Sequence, residues 1–368
     1  MRIGLAIYRF DPKKGGAERY AYDLSTHLVK KGHEVFVFCA YGTETEGLRL
    51  VKVDTTAFPR WLRNLSFAIN QKRHLKNVPV DVMLGFGNIL NPDVYQSHGG
   101  VHKIWMEREI ESYDNPKERS MKALLLKSSL NQRVQEWIAE YPIRNRTYKK
   151  FVAISDMIKT HMTKHYKLKG DEFDVVYNGV DTKRFTPATT QPSGELKILF
   201  SAGNFRLKGL GPLIEALGTI RKRGQGFRLI VMGRGKNKRY RELISKYNIS
   251  DSVVFLGEQA MPEMMYRESH ILVHPTFYDA CSLTTMESMA SGLPTITTKW
   301  NGASALISEG EGFVIDEPRN IVALAKAISD LFDGDLRASM GKMARQKIEQ
   351  FTIEKNVTEM ENVLLSTL

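Results

Sequence analysis

Cysteine is nearly absent: the 368 residues include two, Cys39 and Cys281, far apart and without framework spacing. A disulfide-stapled fold is excluded, and a reducing, cytoplasmic setting is expected. Long apolar runs are missing as well. No stretch approaches the roughly 20 residues that a bilayer-spanning helix needs. The apolar run that opens the chain has no basic region ahead of it beyond Arg2, so it reads as a first buried strand and not as a signal peptide. There is no internal repeat and no low-complexity tail. His161 and His165 stand four apart, but no Glu follows the first and no third ligand is evident, so they read as exposed helix residues. No aromatic-rich basic motif of a nucleic-acid reader is present, which leaves charge alone to argue for such a partner. None is expected.

What is present is a globular composition, 42% hydrophobic and 26% charged, in a chain long enough for two domains. The net charge of +12 is unevenly spread. Residues 1–185 hold 31 Lys+Arg against 21 Asp+Glu, and the remainder 22 against 20. An excess confined to one half points to an anionic partner for that half, such as a phosphorylated lipid or a membrane surface; ordinary solubility charge is the alternative.

Hydrophobic patterning sets the fold class. A strand-like run over 2–8, the polar loop DPKKGG, a helix with Ala17, Tyr20, Leu24 and Leu28 on one face, and HEVFVFCA form the opening of a doubly wound α/β domain. VDVMLGFG (80–87), DVYQS (93–97) and FVAIS (151–155) are further strands. Residues 103–150 read as a basic helical insert. Within it, 115–150 mixes nine basic with three acidic residues and carries Leu124, Leu125, Leu126, Trp137, Ile138 and Tyr141, the mixture a membrane-surface helix needs and a packed helix also shows. A Pro-, Thr- and Ser-rich linker covers 186–195. From Leu196 the runs LKILFSAG, FRLIVMG, SVVFLG, HILVHP and LPTITT alternate with helical stretches, which argues for a second parallel sheet covered by helices. The expectation is an α/β protein of two Rossmann-like domains facing across a cleft: 1–185, then 196–350, with a final helix over 351–368 that returns to the first domain.

Three clusters could carry chemistry. Gly15 and Gly16 lie between the first strand and its helix, where backbone can approach an anion; a simple turn is the other reading. Asn204, Arg206 and Lys208 follow the first strand of the second domain, where two cations could pair with a departing diphosphate. The segment HPTFYDACSLTTMESMASGLPTITT (274–298) holds Asp279 and Glu287 eight residues apart around a helix start near Ser282, with Ala280, Cys281, Ser282 and Leu283 supplying amides for an anion. Gly233 and Gly235 follow a strand but lack the third glycine of a dinucleotide fingerprint; they could cradle the nucleotide or shape the loop. His98, in a His-Gly-Gly turn after DVYQS, is either a site residue or a structural histidine. Asp333-Gly-Asp335 has the D-x-D form of a metal-diphosphate site but follows a helix and reads as a turn.

The 274–298 segment resembles the E-x7-E signature of the family-4 retaining glycosyltransferases of the GT-B fold, with Asp279 in place of the usual first Glu. GGAERY, VVYNGVDTKRF (175–185) and GLPTITTKWNGASALI (292–307) are similar to the same family, so the resemblance covers nearly the whole chain. SHGGVHKIWMER (97–108), with the basic insert, is most similar to its lipopolysaccharide-core glucosyltransferase branch. The resemblance implies a hexosyltransferase that moves glucose or a related sugar from a UDP-sugar to an anionic, lipid-linked glycan at the inner membrane face. It implies that Glu287 holds the ribose and Asp279 the hexose. Arg206 and Lys208 would hold the diphosphate, with Gly15 and Gly16 near the donor phosphate and His98 near the donor sugar. It further implies front-face displacement with no enzymatic nucleophile, and no metal or other cofactor is expected. Asp279 shortens the reach by one methylene, which bears on sugar selectivity. An epimerase or hydrolase of the same fold, and a non-catalytic nucleotide-sugar binder, remain as alternatives.

Overall fold

The protein, seen here as a computed structural model, is described over residues 1–190 and 192–368. It divides into two compact units. Unit 1 comprises residues 1–107, 120–179 and 353–368; unit 2 comprises 108–119 and 180–352.

Unit 1 is built on β1 (Arg2–Ala6), β2 (Arg9–Phe10), α1 (Gly16–Lys30), β3 (Glu34–Cys39), β4 (Tyr41–Gly42), β5 (Leu48–Lys52) and α2 (Arg60–Asn77). These are followed by β6 (Val82–Gly85), β7 (Val94–Ser97), α3 (His102–Glu111), α4 (Pro116–Ser128) and α5 (Leu130–Asn145), the end of α3 and the start of α4 counting with unit 2. Then come β8 (Lys150–Ala153), α6 (Asp156–Tyr166) and β9 (Phe173–Val175). Seven strands form a parallel sheet in the order β5-β3-β1-β6-β7-β8-β9, while β2 and β4 pair separately. The strand sequences are apolar on both faces because both faces are covered. On β3, Val35, Val37 and Cys39 join the cluster under α1, whereas Phe36 and Phe38 join the cluster under α2 with Phe67. Each such side chain, fully buried, contributes roughly 1.5–3 kcal/mol.

Unit 2 contains β10 (Leu196–Ser201), α7 (Leu210–Lys222), β11 (Phe227–Met232), α8 (Lys238–Lys246), β12 (Val253–Gly257), α9 (Pro262–Arg267) and β13 (Ile271–His274). It continues through α10 (Leu283–Ala290), β14 (Thr295–Thr298), β15 (Gly312–Ile315), α11 (Ile321–Asp330) and α12 (Gly334–Ile348). Its parallel sheet runs β12-β11-β10-β13-β14-β15. The order reverses at β10, and loops leaving the carboxyl ends of β10 and β13 on either side of that point carry the chemistry-bearing residues, as doubly wound sheets arrange it.

The last helix, α13 (Ile353–Leu365), belongs to unit 1. Its Val357, Met360 and Leu364 pack in the cluster that holds Tyr20, Leu24 and Leu28 of α1. Glu361 takes hydrogen bonds from Lys31 and His33, which holds its carboxyl below the usual range.

The units depart from the sequence ranges at 180–185 and 351–352, which fall in unit 2, and at one internal segment. Residues 108–119 pack in unit 2, although the sequence reads them as part of the first domain's insert. The cause is a set of contacts invisible to local pattern. Arg206 reaches Glu109, Ser112 and the Tyr113 ring, and Arg239 and Arg319 both pair with Asp114. Likewise His161 and His165 on α6 are half-buried, not exposed. Asp333 serves as the N-cap of α12, accepting from the Asp335 and Leu336 amides, so the D-x-D is a helix start. Among the described residues no helix is long and apolar enough to cross a membrane.

Candidate functional site

In unit 2 the site is built on the turn between β13 and α10. Strand β13 ends at His274, and the helix begins at Leu283 with Ser282 as its N-cap, the Ser282 Oγ accepting from the Thr285 amide at 3.2 Å. The intervening loop is pinned from the β14 side. Asp279 donates its amide to the Trp300 carbonyl and accepts from the Gly302 amide. The fully buried Asn301 accepts from the Ser282 and Ala303 amides and donates to Thr285 and Thr297 hydroxyls. Every polar atom of that amide group has a partner, which fixes the backbone of 279–285 against the β14 strand. The loop geometry leaves the Leu283 and Thr284 amides at the helix start without intrahelical acceptors, where the positive end of the helix dipole favours an anion.

The two carboxylates are held differently. Asp279 Oδ2 accepts from Lys208 Nζ at 2.6 Å, and the same ammonium donates to the Tyr278 carbonyl at 3.0 Å. Lys208 is brought there by the turn after β10, in which Asn204 Oδ1 accepts from the Leu207 amide and the Asn204 carbonyl from the Lys208 amide. Gly209 then adopts φ +84°, and a Cβ on it would lie 2.0 Å from the Pro275 carbonyl oxygen. Only glycine lets this turn sit against the loop after β13. Glu287, half-buried on α10, accepts from the Tyr266 hydroxyl at 2.9 Å. Tyr266 is fully buried, and that burial together with the neighbouring Glu287 carboxylate pushes its pKa well up, so it acts as a fixed donor.

His274, 1% exposed, lies beneath the loop with its Nδ1 3.4 Å from Ser282 Oγ. Burial, assisted by the Lys208 charge, holds its pKa down at about 3, so it is a neutral hydrogen-bonding group. Ala280 and Cys281 are buried in the same turn, with Cys281 a thiol and not half of a disulfide.

Arg206 is placed otherwise than the sequence implies. Its guanidinium is stacked on Tyr113 with 3.8 Å to the ring centroid and is hydrogen-bonded to Glu109 and Ser112. It therefore ties 108–119 to the unit, with both Nη atoms engaged by those partners. Asn204 and Arg206 also line a cavity of about 710 Å3 with Arg234, Lys236, Lys238 and Arg239; Lys208, Asp279 and Glu287 are not part of that lining. Gly233 is explained by backbone packing. With φ +121°, it lies so close to β10 that a Cβ would stand 1.9 Å from the Ala202 carbonyl oxygen.

In unit 1, Gly15 is the N-cap of α1 and Gly16 its first residue, both exposed. His98 follows β7 and sits against Tyr20 and Phe86, with ring centroids 4.6 and 5.0 Å away. Burial holds its pKa down at about 3. His98 lines a cavity of about 560 Å3 at the carboxyl edge of the sheet.

Of the residues expected from sequence, the structure brings Lys208 to Asp279 and sets Ser282 and Glu287 on the same helix start; Tyr266 and Asn301, which hold Glu287 and the loop, were not anticipated. Asn301 lies in a segment singled out for its resemblance, without a role; nothing in PEMMYR marks Tyr266.

Two family sequence models match the chain, Glycosyltransferase Family 4 over residues 14–184 and Glycosyl transferases group 1 over 182–347, so that between them they span nearly all of it. The lipopolysaccharide glucosyltransferase WaaG of Escherichia coli K12 is 23% identical over 335 residues, 86% of either chain. A D-inositol 3-phosphate glycosyltransferase of Paenarthrobacter aurescens is 29% identical over 206 residues, a match that spans 52% of this chain and only 50% of that protein. Among solved structures, that of WaaG superposes with a TM-score of 0.80 at 20% identity, covering 98% and 99% of the two chains. Anabaena HepE in complex with UDP-glucose gives 0.73 at 17% identity over the full length of both. The chain is thus a glycosyltransferase of the two-domain GT-B fold. It belongs to the family-4 glycosyltransferases.

Proposed function

We propose that the protein is a retaining hexosyltransferase that uses a UDP-sugar, with glucose or a related hexose as the donor sugar, and a lipid-linked, anionic glycan as acceptor. The observation that carries this is the pair of differently held carboxylates around the start of α10. Glu287, set by Tyr266, presents an acceptor-only group suited to the two ribose hydroxyls, and Asp279 one suited to hydroxyls of the hexose. The amides at the helix start and Lys208 supply the positive potential for the diphosphate. Lys208 is then shared between Asp279 and the leaving group, so its charge is in place before the bond breaks.

In the step itself, the acceptor oxygen forms a bond to C1 of the sugar on the face from which the diphosphate departs. The C1–O bond breaks, its electron pair goes to the diphosphate oxygen, and that oxygen takes the acceptor proton. No protein nucleophile is required, and the cationic groups already present make a metal unnecessary; the protein's contribution is orientation and electrostatic stabilisation. The nucleotide assignment draws on HepE, solved with UDP-glucose, and the acceptor class on WaaG, named for lipopolysaccharide.

The test is to incubate the protein with UDP-glucose and a glycolipid acceptor extract and to analyse both donor and acceptor by mass spectrometry. The expected products are UDP and an acceptor heavier by one hexose with an α linkage. Donor converted to an isomer without any acceptor would mean an epimerase, free glucose a hydrolase, and unchanged donor with bound UDP a silent binder.

A second surface supports peripheral association with an anionic membrane. On α4, Met121, Leu124 and Leu125 are 60%, 70% and 58% exposed and share one face by their spacing, flanked by Lys117, Lys122 and Lys127. The neighbouring Leu126 and Ile138 are buried, so the apolar residues of the insert divide between packing and exposure.

A further inference from the structure

The first turn of a helix ordinarily collects acidic side chains, because they interact well with the positive end of its dipole. Helix α2 does the opposite. It has no acidic residue in its first turn, and Arg60 and Arg63, three apart and hence on one face, stand at its start. Both line the cavity of about 560 Å3 in unit 1, and Arg9, just beyond β1, lines it as well. No carboxylate is among the lining residues. Among the described residues none of the three arginines has a carboxylate within ion-pairing distance, whereas Arg2, Arg19, Arg49, Arg108, Arg144 and Arg146 do; Arg73, Arg119 and Arg133 also lack one but stand outside this lining. Three like charges gathered around one concavity at a positive helix end, with no counter-charge, set up a positive potential that an anion in the space would neutralise.

The wall of the cavity carries a second, independent signal. Arg63 Nε, Ser97 Oγ and His98 Nε2 all line it and are closed off from solvent, and none has a hydrogen-bond partner among protein atoms. Ser97 is 1% exposed. Buried polar groups left unpaired cost free energy, and three around one cavity mark a place built to be satisfied by a ligand. The remaining lining is suited to a polyol. Trp105 and Phe67 present apolar faces for ring C–H groups, and Gln135 offers both a donor and an acceptor. The volume falls within the range of small-molecule sites.

Resting on the glycosyl-transfer function proposed above, we infer that this cavity is the acceptor subsite, and that the part of the acceptor it holds is a sugar or polyol bearing a phosphate monoester, gripped by Arg9, Arg60 and Arg63. A carboxylate offers two oxygens and a single charge, which at Asp114 two guanidiniums share. A phosphate monoester offers three terminal oxygens and up to two charges, and so employs several forks at once. Ser97 and His98, the latter neutral, then meet hydroxyls of the same sugar.

The test is calorimetric titration of the whole protein with glucose 6-phosphate, glucose, glucuronate and inorganic phosphate. Glucose 6-phosphate is expected to bind at least roughly tenfold more tightly than glucose or glucuronate, with an affinity that falls as salt rises. R63Q and R60E are each expected to weaken it by about ten- to hundredfold, with R63K recovering part of the loss. Arg60 is exposed, so R60E reports on the site even where R63Q lowers the melting temperature. Equal affinity for glucose and its phosphate, glucuronate bound as tightly as the phosphate, or unchanged affinity in R60E would overturn the inference. UDP titrated into the same wild-type preparation separates the two proposals. UDP binding without selectivity for glucose 6-phosphate defeats this subsite alone, whereas glucose 6-phosphate binding without any UDP binding defeats the transferase reading and leaves an anion site.

Discussion

His98 and His274 are two imidazoles kept neutral by burial, each with a pKa near 3. The unfolded chain protonates the same groups at about 6.5. A base whose folded pKa lies below its unfolded value opposes folding once protons are available. Stability is therefore full above about pH 6.5 and falls as the pH drops from there towards 3, by about 1.4 kcal/mol per pH unit for each group. In H98Q one such group is gone, so the loss of stability between pH 6.5 and 5 is expected to be shallower than in the wild type by one proton's worth. Denaturant unfolding at several pH values measures the slope. An NMR titration placing His98 near 6.5 would contradict the burial from which it follows. At this scale the sequence is informative where a residue's role is local. Ser282 is readable as a cap and Asp279 and Glu287 as an acid pair because residue type and spacing suffice. Tyr266 and Asn301 were not readable, since their roles are contacts made across 21 and 19 positions in the chain.

Elements were more legible than their boundaries. The apolar runs that became β1, β3, β6, β10, β11, β13 and β14 stand out because parallel strands are buried on both faces. The strands β2 and β4, two residues each, are too short to leave a pattern, although Phe10 of β2 is fully buried. The partition of 108–119 depended on Arg206 meeting Glu109, a pair 97 residues apart that no local period reveals. Helix α4 shows how an element's exposure is decided by its neighbours. Its apolar composition is visible in sequence, but only the fold shows that Met121, Leu124 and Leu125 remain outside. The wild-type protein is expected to bind phosphatidylglycerol vesicles, with affinity decreasing as ionic strength rises, because basic side chains near an anionic surface each contribute about 1 kcal/mol. L124E/L125E should reduce that binding by roughly tenfold or more while leaving the melting temperature within a few degrees, since both residues are exposed. Vesicle sedimentation unaffected by the double substitution, or by salt, would remove α4 from the interface.

The molecule as a whole divides its electrostatics between its two halves. Residues 1–185, with 31 basic and 21 acidic side chains, contain both the unpaired arginine cavity and α4; the nearly balanced remainder contains Asp279 and Glu287. The imbalance thus has an address, in side chains that an anionic acceptor would neutralise, while the proposed function assigns the acids of unit 2 to hydroxyls and Lys208 with the α10 start to phosphate. Glu287 and its helix are proposed as a uridine diphosphate site, and the decisive measurement is titration of UDP into the wild-type protein and into E287A, with ADP and GDP as controls. Removing a carboxylate that accepts two ribose hydroxyls is expected to weaken UDP at least about tenfold, with circular dichroism unchanged, and UDP should bind the wild type more tightly than the other two nucleotides. Equal UDP affinity in wild type and E287A, or a wild type that prefers ADP or GDP, would contradict it.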